Sequence, residues 1–147
     1  MIDLRFPTAL QIMLTLALAE EQGCAPLTST QLALGLGANP SLVRTLMVPL
    51  ARCGLLLATR GKAGGIRLGR RAADVTLADI YRAAAGEKKL WTPRFGVPRQ
   101  CVVSSNIGQV VEQLAVAADE AVIEILARRT LAETLAELSE EQGALRD

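Results

Sequence analysis

The residues of this 147-residue chain best suited to chemistry are cations and glycines. Residues 38–71 hold Arg44, Arg52, Arg60, Lys62, Arg67, Arg70 and Arg71 with no Asp or Glu among them, and Arg60-Gly61-Lys62-Ala63-Gly64-Gly65-Ile66-Arg67-Leu68 is a glycine-bent basic segment. Concentrated positive charge beside glycines that permit close backbone approach suits the binding of phosphates. Gly61-Lys62 precedes the other glycines and no Gly-Lys-Ser/Thr opens a helix afterwards, so the pattern is not a nucleotide-binding P-loop. Histidine is absent, which removes Ser-His-Asp and Cys-His catalysis and most transition-metal sites. The chain is therefore not expected to be an enzyme.

These cations need elements to aim them. Pro7 suits an early helical position, and Ala9, Ile12, Met13, Leu16, Ala17 and Ala19 recur at helical spacing until Gln22-Gly23 stops the run. Thr28 with Gln31 three residues later reads as a capping box for a short helix that Gly35 and Gly37 cut off. Asn39 caps and Pro40 opens a third helix running to about Cys53, with Gly54 as its stop. Pro49 inside it predicts a kink or an earlier end. Two short helices across a tight glycine turn make a helix-turn-helix. Leu55-Leu56-Leu57-Ala58-Thr59 and Ile66-Arg67-Leu68 have strand character around the glycines, so a hairpin wing follows. Thr76 with Asp79 caps a fourth helix and completes a small domain near residue 86.

An α-helix fits the major groove of B-DNA, where its N-terminal residues reach base edges while the preceding helix touches the backbone. Ser41, Arg44 and Thr45 hold the first role here, and Thr28 and Thr30 open the preceding helix. Arg44 can pair bidentately with guanine, although a surface arginine bonded within its own helix has the same spacing. Arg60, Lys62 and Arg67 would neutralise phosphates or enter a narrow minor groove, with Gly64 and Gly65 letting the backbone approach.

Charge is divided along the chain. Between residues 44 and 99 there are twelve Lys or Arg against Asp74, Asp79 and Glu87, whereas residues 100–147 carry three Arg against nine acids. A mixed connector containing Trp91 and Phe95 leads to Ile107, Val110, Val111, Leu114, Ala118, Ala121, Val122 and Ile125, one face of a helix of about twenty residues, about 30 Å long. Trp91 and Phe95 either line a small-ligand pocket or plug a gap between domains. The long helix either pairs with its copy or folds back on the small domain. Thr130 with Glu133 caps a last helix with a stripe of Leu131, Leu135 and Leu138. The apolar run at residues 9–19 is too short for a membrane span and lacks signal-peptide features, so a cytoplasmic protein without membrane partners is expected. Cys24, Cys53 and Cys101 are too scattered for a metal knuckle.

The basic segment, preceded by Leu50-Ala51-Arg52-Cys53-Gly54-Leu55, resembles the signature of the Rrf-two family of bacterial transcription regulators, relatives of IscR, NsrR and CymR, and the likeness extends from Phe6 to about Leu138. The resemblance implies a homodimeric winged helix-turn-helix protein whose long helix crosses to the partner and whose two recognition helices bind a palindromic operator in double-stranded DNA. It places Ser41, Arg44 and Thr45 where the family reads bases, and the wing at the minor groove. Arg44 stands where the iron-sulfur member has an acidic residue, so that member's operator does not transfer. Cluster-binding relatives carry three cysteines in the connector, where this chain has Cys101 alone. A cluster with three same-chain cysteine ligands is therefore excluded and no cofactor is expected. The segment Cys101-Val102-Val103-Ser104-Ser105-Asn106-Ile107 is similar to a single-cysteine branch.

The expected fold is mainly α with a small β-hairpin: a winged helix-turn-helix domain at 1–86, a connector or sensor loop at 87–104, and a dimerisation helix with a C-terminal helix at 105–147. Ile107, Val111, Leu114, Ala118, Ala121 and Ile125 are the expected dimer contacts. Cys101 precedes a helix N-terminus with Arg94 and Arg99 close in sequence, fields that favour thiolate. It is either a sensor of an oxidant or small-molecule effector, or an inert thiol packed at the helix start. The expected function is sequence-specific repression of transcription. The alternative is a winged-helix module that binds protein rather than DNA, and a thiol enzyme built on Cys101 would lack a histidine base.

Overall fold

The computed structural model describes residues 3–96 and 98–145. Residues 1–2, 97 and 146–147, which fall within the expected domains and connector, lie outside them. Among the described residues six α-helices and one hairpin follow in chain order: α1 (Arg5–Glu21), α2 (Ser29–Leu36), α3 (Pro40–Arg52), β1 (Leu56–Thr59), β2 (Gly65–Leu68), α4 (Leu77–Ala85), α5 (Val102–Ala127) and α6 (Leu131–Ala144), with a 3-10 turn at Ala72–Asp74 before α4. This is a mainly helical winged helix-turn-helix fold.

Local signals set most of the helix starts. Thr28 accepts a hydrogen bond from the Gln31 amide while the Gln31 side chain accepts one from the Thr28 amide, and Thr76 with Asp79 and Thr130 with Glu133 do the same. Each box satisfies two backbone donors that would otherwise be orphaned. Asn39 caps α3 through the Ser41 amide at 2.8 Å, with Pro40 in its first turn. Of the two outcomes expected at Pro49, an early end does not occur, because the helix continues past it to Arg52. Val43, Leu46 and Leu50 are buried on one face of α3. Burying each contributes roughly 1.5–3 kcal/mol, which together outweighs the roughly 3 kcal/mol that an interior proline costs.

The core gathers α1, α3, α4 and the hairpin: Ile12, Met13 and Leu16 of α1 meet Val43 and Leu50 of α3, Leu56, Ile66 and Leu68 of the wing, and Ile80 of α4. The hairpin is antiparallel, with Leu56 opposite Leu68 and Thr59 opposite Gly65. A third extended segment joins it that sequence patterning did not reveal. Leu27 donates to the Ile66 carbonyl at 3.0 Å and accepts from the Ile66 amide at 2.7 Å.

The C-terminal elements divide differently from the sequence-based expectation. α5 has 26 residues and begins at Val102, so the connector ends at Cys101. α6 turns back onto α1, with Leu131 and Leu135 inside the core and the Leu131 amide donating to the Val75 carbonyl at 2.8 Å. Thus α6 packs with residues 1–86 although the sequence groups it with α5. Among the described residues no helix is long and apolar enough to cross a membrane. Leu131→Ala is expected to cost about 2–5 kcal/mol in urea unfolding, in one transition that includes the winged domain. A separate low-stability transition for α6 would contradict that packing.

Candidate nucleic-acid interface

The buried residues of α3 leave Ser41, Arg44, Thr45 and Val48 exposed on the opposite face, at i, i+3, i+4 and i+7. Arg44 is free of ion pairs among the described residues. Thr45 donates its hydroxyl to the Ser41 carbonyl at 2.9 Å, which fixes its rotamer and leaves its oxygen outward as an acceptor. Thr28 and Thr30 are both exposed at the start of α2, and the Thr28 oxygen serves as that helix's cap.

The wing turn needs its glycines. A Cβ at Gly64 would sit 2.3 Å from the Thr59 carbonyl oxygen, and backbone cannot yield as a flexible side chain would. Gly65 has φ +151, and a Cβ there would meet the Leu27 carbonyl at 2.9 Å. Because Leu27 pairs with Ile66 in antiparallel fashion, the next pair outward is Thr28 beside Gly65. The entry to α2 and the base of the wing are therefore neighbours. Ile66 and Leu68 point into the core and Arg67 points out between them, while Arg60 and Lys62 stand exposed on the turn. None of these three cations has an ion-pair partner among the described residues. Arg70 and Arg71, which the sequence places in the same acid-free run, are drawn away to Asp79 and Asp74. The uncompensated positive charge is thus narrower than the sequence implies. Glu20, which sequence reading passed over, accepts the Leu68 amide at 3.1 Å and ties β2 to α1.

Cys101 is exposed and is itself the N-cap of α5. The Ser104 hydroxyl lies 3.4 Å from its sulfur, and the Ser104 amide donates to that sulfur at 3.4 Å. The Ser104 hydroxyl first, then the amides of Ser104 and Val103, hold the thiol below its ordinary pKa. The arginines expected to do so are not the cause, although Arg94 lines the same cleft of about 290 Å³ between the connector and α5. Trp91 and Phe95 are absent from that cleft, and Phe95 is 95% exposed, so it plugs no gap.

The expected dimer residues fall on two sides of α5. Ile107, Leu114, Ala121 and Ile125 are exposed, whereas Val111 and Ala118 are partly covered by the rest of the chain. Val103, Val110 and Ala117 are also exposed, so the open stripe runs 103, 107, 110, 114, 117, 121 with alternating steps of four and three. That is the spacing of a coiled-coil seam.

Residues 2–137 match the Rrf2 family, described as Iron-dependent Transcriptional regulator. YwgB of Bacillus subtilis (strain 168), named as an HTH-type transcriptional regulator, is 34% identical over 95 residues, which are 60% of this chain and 61% of YwgB. The chain is also similar to a transcriptional regulator structure from Lactobacillus plantarum, with TM-score 0.77 and 25% identity over 99% of this chain and 96% of the other. IscR of T. potens shares the fold, with TM-score 0.71 and 22% identity over 97% and 90% of the two chains. The iron in the family's description finds no matching donors here. Cys24, Cys53 and Cys101 are free, and among the described residues no group of three His, Cys, Asp or Glu could hold a metal ion. With the signature, the fold and the match in agreement, the chain belongs to the Rrf2 family of transcriptional regulators.

Proposed function

We propose that this chain is a homodimeric repressor that binds a palindromic DNA operator, one winged helix on each half-site. The observation that carries this reading is the exposed α3 face of Ser41, Arg44 and Thr45 together with a wing whose Arg60, Lys62 and Arg67 lack acidic partners among the described residues. Phosphate contacts from the wing supply affinity and its salt dependence, with Thr28, Thr30 and the close backbone at Gly64 and Gly65 fixing position. Ser41, Arg44 and Thr45 supply sequence choice in the major groove. The open stripe on α5 supports pairing with a second copy, because an apolar face of this length is costly to leave in water. A gel-shift titration against the protein's own upstream region at several salt concentrations tests the reading. Arg44→Ala should relax preference at one base position by about 1–3 kcal/mol, and Lys62→Ala should weaken all sequences alike and reduce the salt slope by about one. Duplex binding that is weak and insensitive to salt would instead favour a winged helix that docks on an acidic protein. A strictly monomeric chain in sedimentation would remove the two-site geometry.

Cys101 is the proposed effector site. Its hydrogen bonds lower the thiol pKa, so more thiolate is present at neutral pH than an ordinary cysteine would hold. Oxidation or alkylation would break the cap that starts α5 and shift the connector relative to the winged domain. Ser104→Ala should move the pH profile of Cys101 alkylation upward and slow the reaction at pH near 7, as read by mass spectrometry of the iodoacetamide adduct. Operator affinity unchanged by peroxide, by alkylation and by Cys101→Ser would eliminate the switch.

A further inference from the structure

The winged domain meets α5 along α4, and the Leu77 amide donating to the Arg129 carbonyl at 3.0 Å holds the end of α5 beside the start of α4. Among the described residues Ala115 is the only buried residue of α5, at 1% exposure. Two polar links flank it on the same side of the helix. Glu112, three residues before, receives Lys89 Nζ at 2.9 Å, and Asp119, four residues after, accepts the Tyr81 hydroxyl at 2.9 Å. The two links differ in kind. Lys89 and Glu112 are both exposed on flexible stems, so water competes for their attraction. Tyr81 and Asp119 are partly buried, and the Tyr81 ring stands edge-on to Phe6 with centroids 5.5 Å apart and planes at 78°. One rigid side chain thereby joins α1, α4 and α5. Burial and the Asp119 carboxylate both push the Tyr81 hydroxyl above its ordinary pKa, so it stays a proton donor throughout the neutral range.

We infer that Tyr81, through Asp119, is a positioning residue that sets the angle between the winged domain and α5, and with it the half-site spacing the protein accepts. The inference rests on the DNA reading above. Two winged domains related through paired α5 helices can keep a fixed separation only if each is fixed to its own helix. Small rotations matter: roughly 15° about α5 moves an atom about 13 Å away, the radius of gyration of a 100-residue domain, by about 3.4 Å, the rise of one base pair. Ala115 is a small pivot, and the Leu77–Arg129 bond holds α5 near its end rather than beside that pivot. A hydrogen bond off the pivot, anchored by an aromatic contact on α1, resists such a rotation.

Tyr81→Phe removes the hydroxyl and keeps the ring against Phe6, and Asp119→Asn keeps an acceptor oxygen for that hydroxyl. Wild-type protein selects its site from a random duplex library, and synthetic duplexes then carry that site with the half-site spacing unchanged or altered by one base pair, beside a single half-site. Tyr81→Phe should bind the single half-site as wild type does, while its preference for the selected spacing falls about threefold or more, the scale of one hydrogen bond to a charged group after solvent screening. Asp119→Asn should retain most of the preference, and Asp119→Ala should lose it. Identical spacing profiles for wild type, Tyr81→Phe and Asp119→Ala would overturn this inference alone. Equal losses on half-site and full-site duplexes would also overturn it, as a general defect of the fold. Wild-type protein that binds no duplex would overturn the DNA reading and this inference together.

Discussion

The interface depends on a single backbone pairing, in which Leu27 and Ile66 exchange both of their hydrogen bonds across the domain. A two-stranded hairpin alone is only marginally stable in water, so the wing needs a third partner to hold its direction. Leu27 supplies that partner immediately before α2 begins, which couples the entry of the helix-turn-helix to the base of the wing. The pairing also dictates the local sequence. Gly65 lies so close to the Leu27 carbonyl that a Cβ would intrude, and Ile66 must fill the core on the inward side. The cations of the wing stand at Arg60, Lys62 and Arg67, exposed positions that neither this pairing nor the core claims. The Glu20 carboxylate on the Leu68 amide holds the other end of the strand to α1.

What was legible in the sequence is what acts over three or four residues. The boxes at Thr28, Thr76 and Thr130, the Asn39-Pro40 start and the glycine-bent wing each announce themselves locally, and the helices and hairpin follow from them. The Leu27 bridge leaves no such trace, because a single paired residue has no period. The Glu20 link to Leu68 spans 48 positions and the Tyr81 link to Asp119 spans 38. No spacing rule relates such pairs. Pro49 does not end α3 for a related reason: the local rule for proline is correct, but the apolar face of α3 on either side outweighs it. Arg70 and Arg71 look like part of the basic run until folding brings Asp79 and Asp74 to them. Cys101 shows the same limit: its place at a helix N-terminus, whose Ser104 and Val103 amides help lower its pKa, is readable, whereas the leading cause is the Ser104 hydroxyl and the nearby arginines have no part.

The two sides of α5 do different kinds of physical work, and that separates two properties a paired regulator must have. The open stripe is apolar and repeats along the helix, so on the proposed reading it determines whether two copies associate, by area and with little directional preference. The opposite side packs on α4 and adds a few directional groups. Ala115 lets α4 come close, and Tyr81 with Asp119 chooses an orientation because hydrogen bonds weaken steeply when bent. Substitutions along the stripe would therefore change how much dimer forms at a given concentration, whereas changes at the inner side would alter the relative placement of the two winged domains within it. Cys101 stands at the start of this same helix, at the one end joined to the connector. On the proposed reading a modification there would act on the inner relation, because it would remove a cap and leave most of the stripe intact.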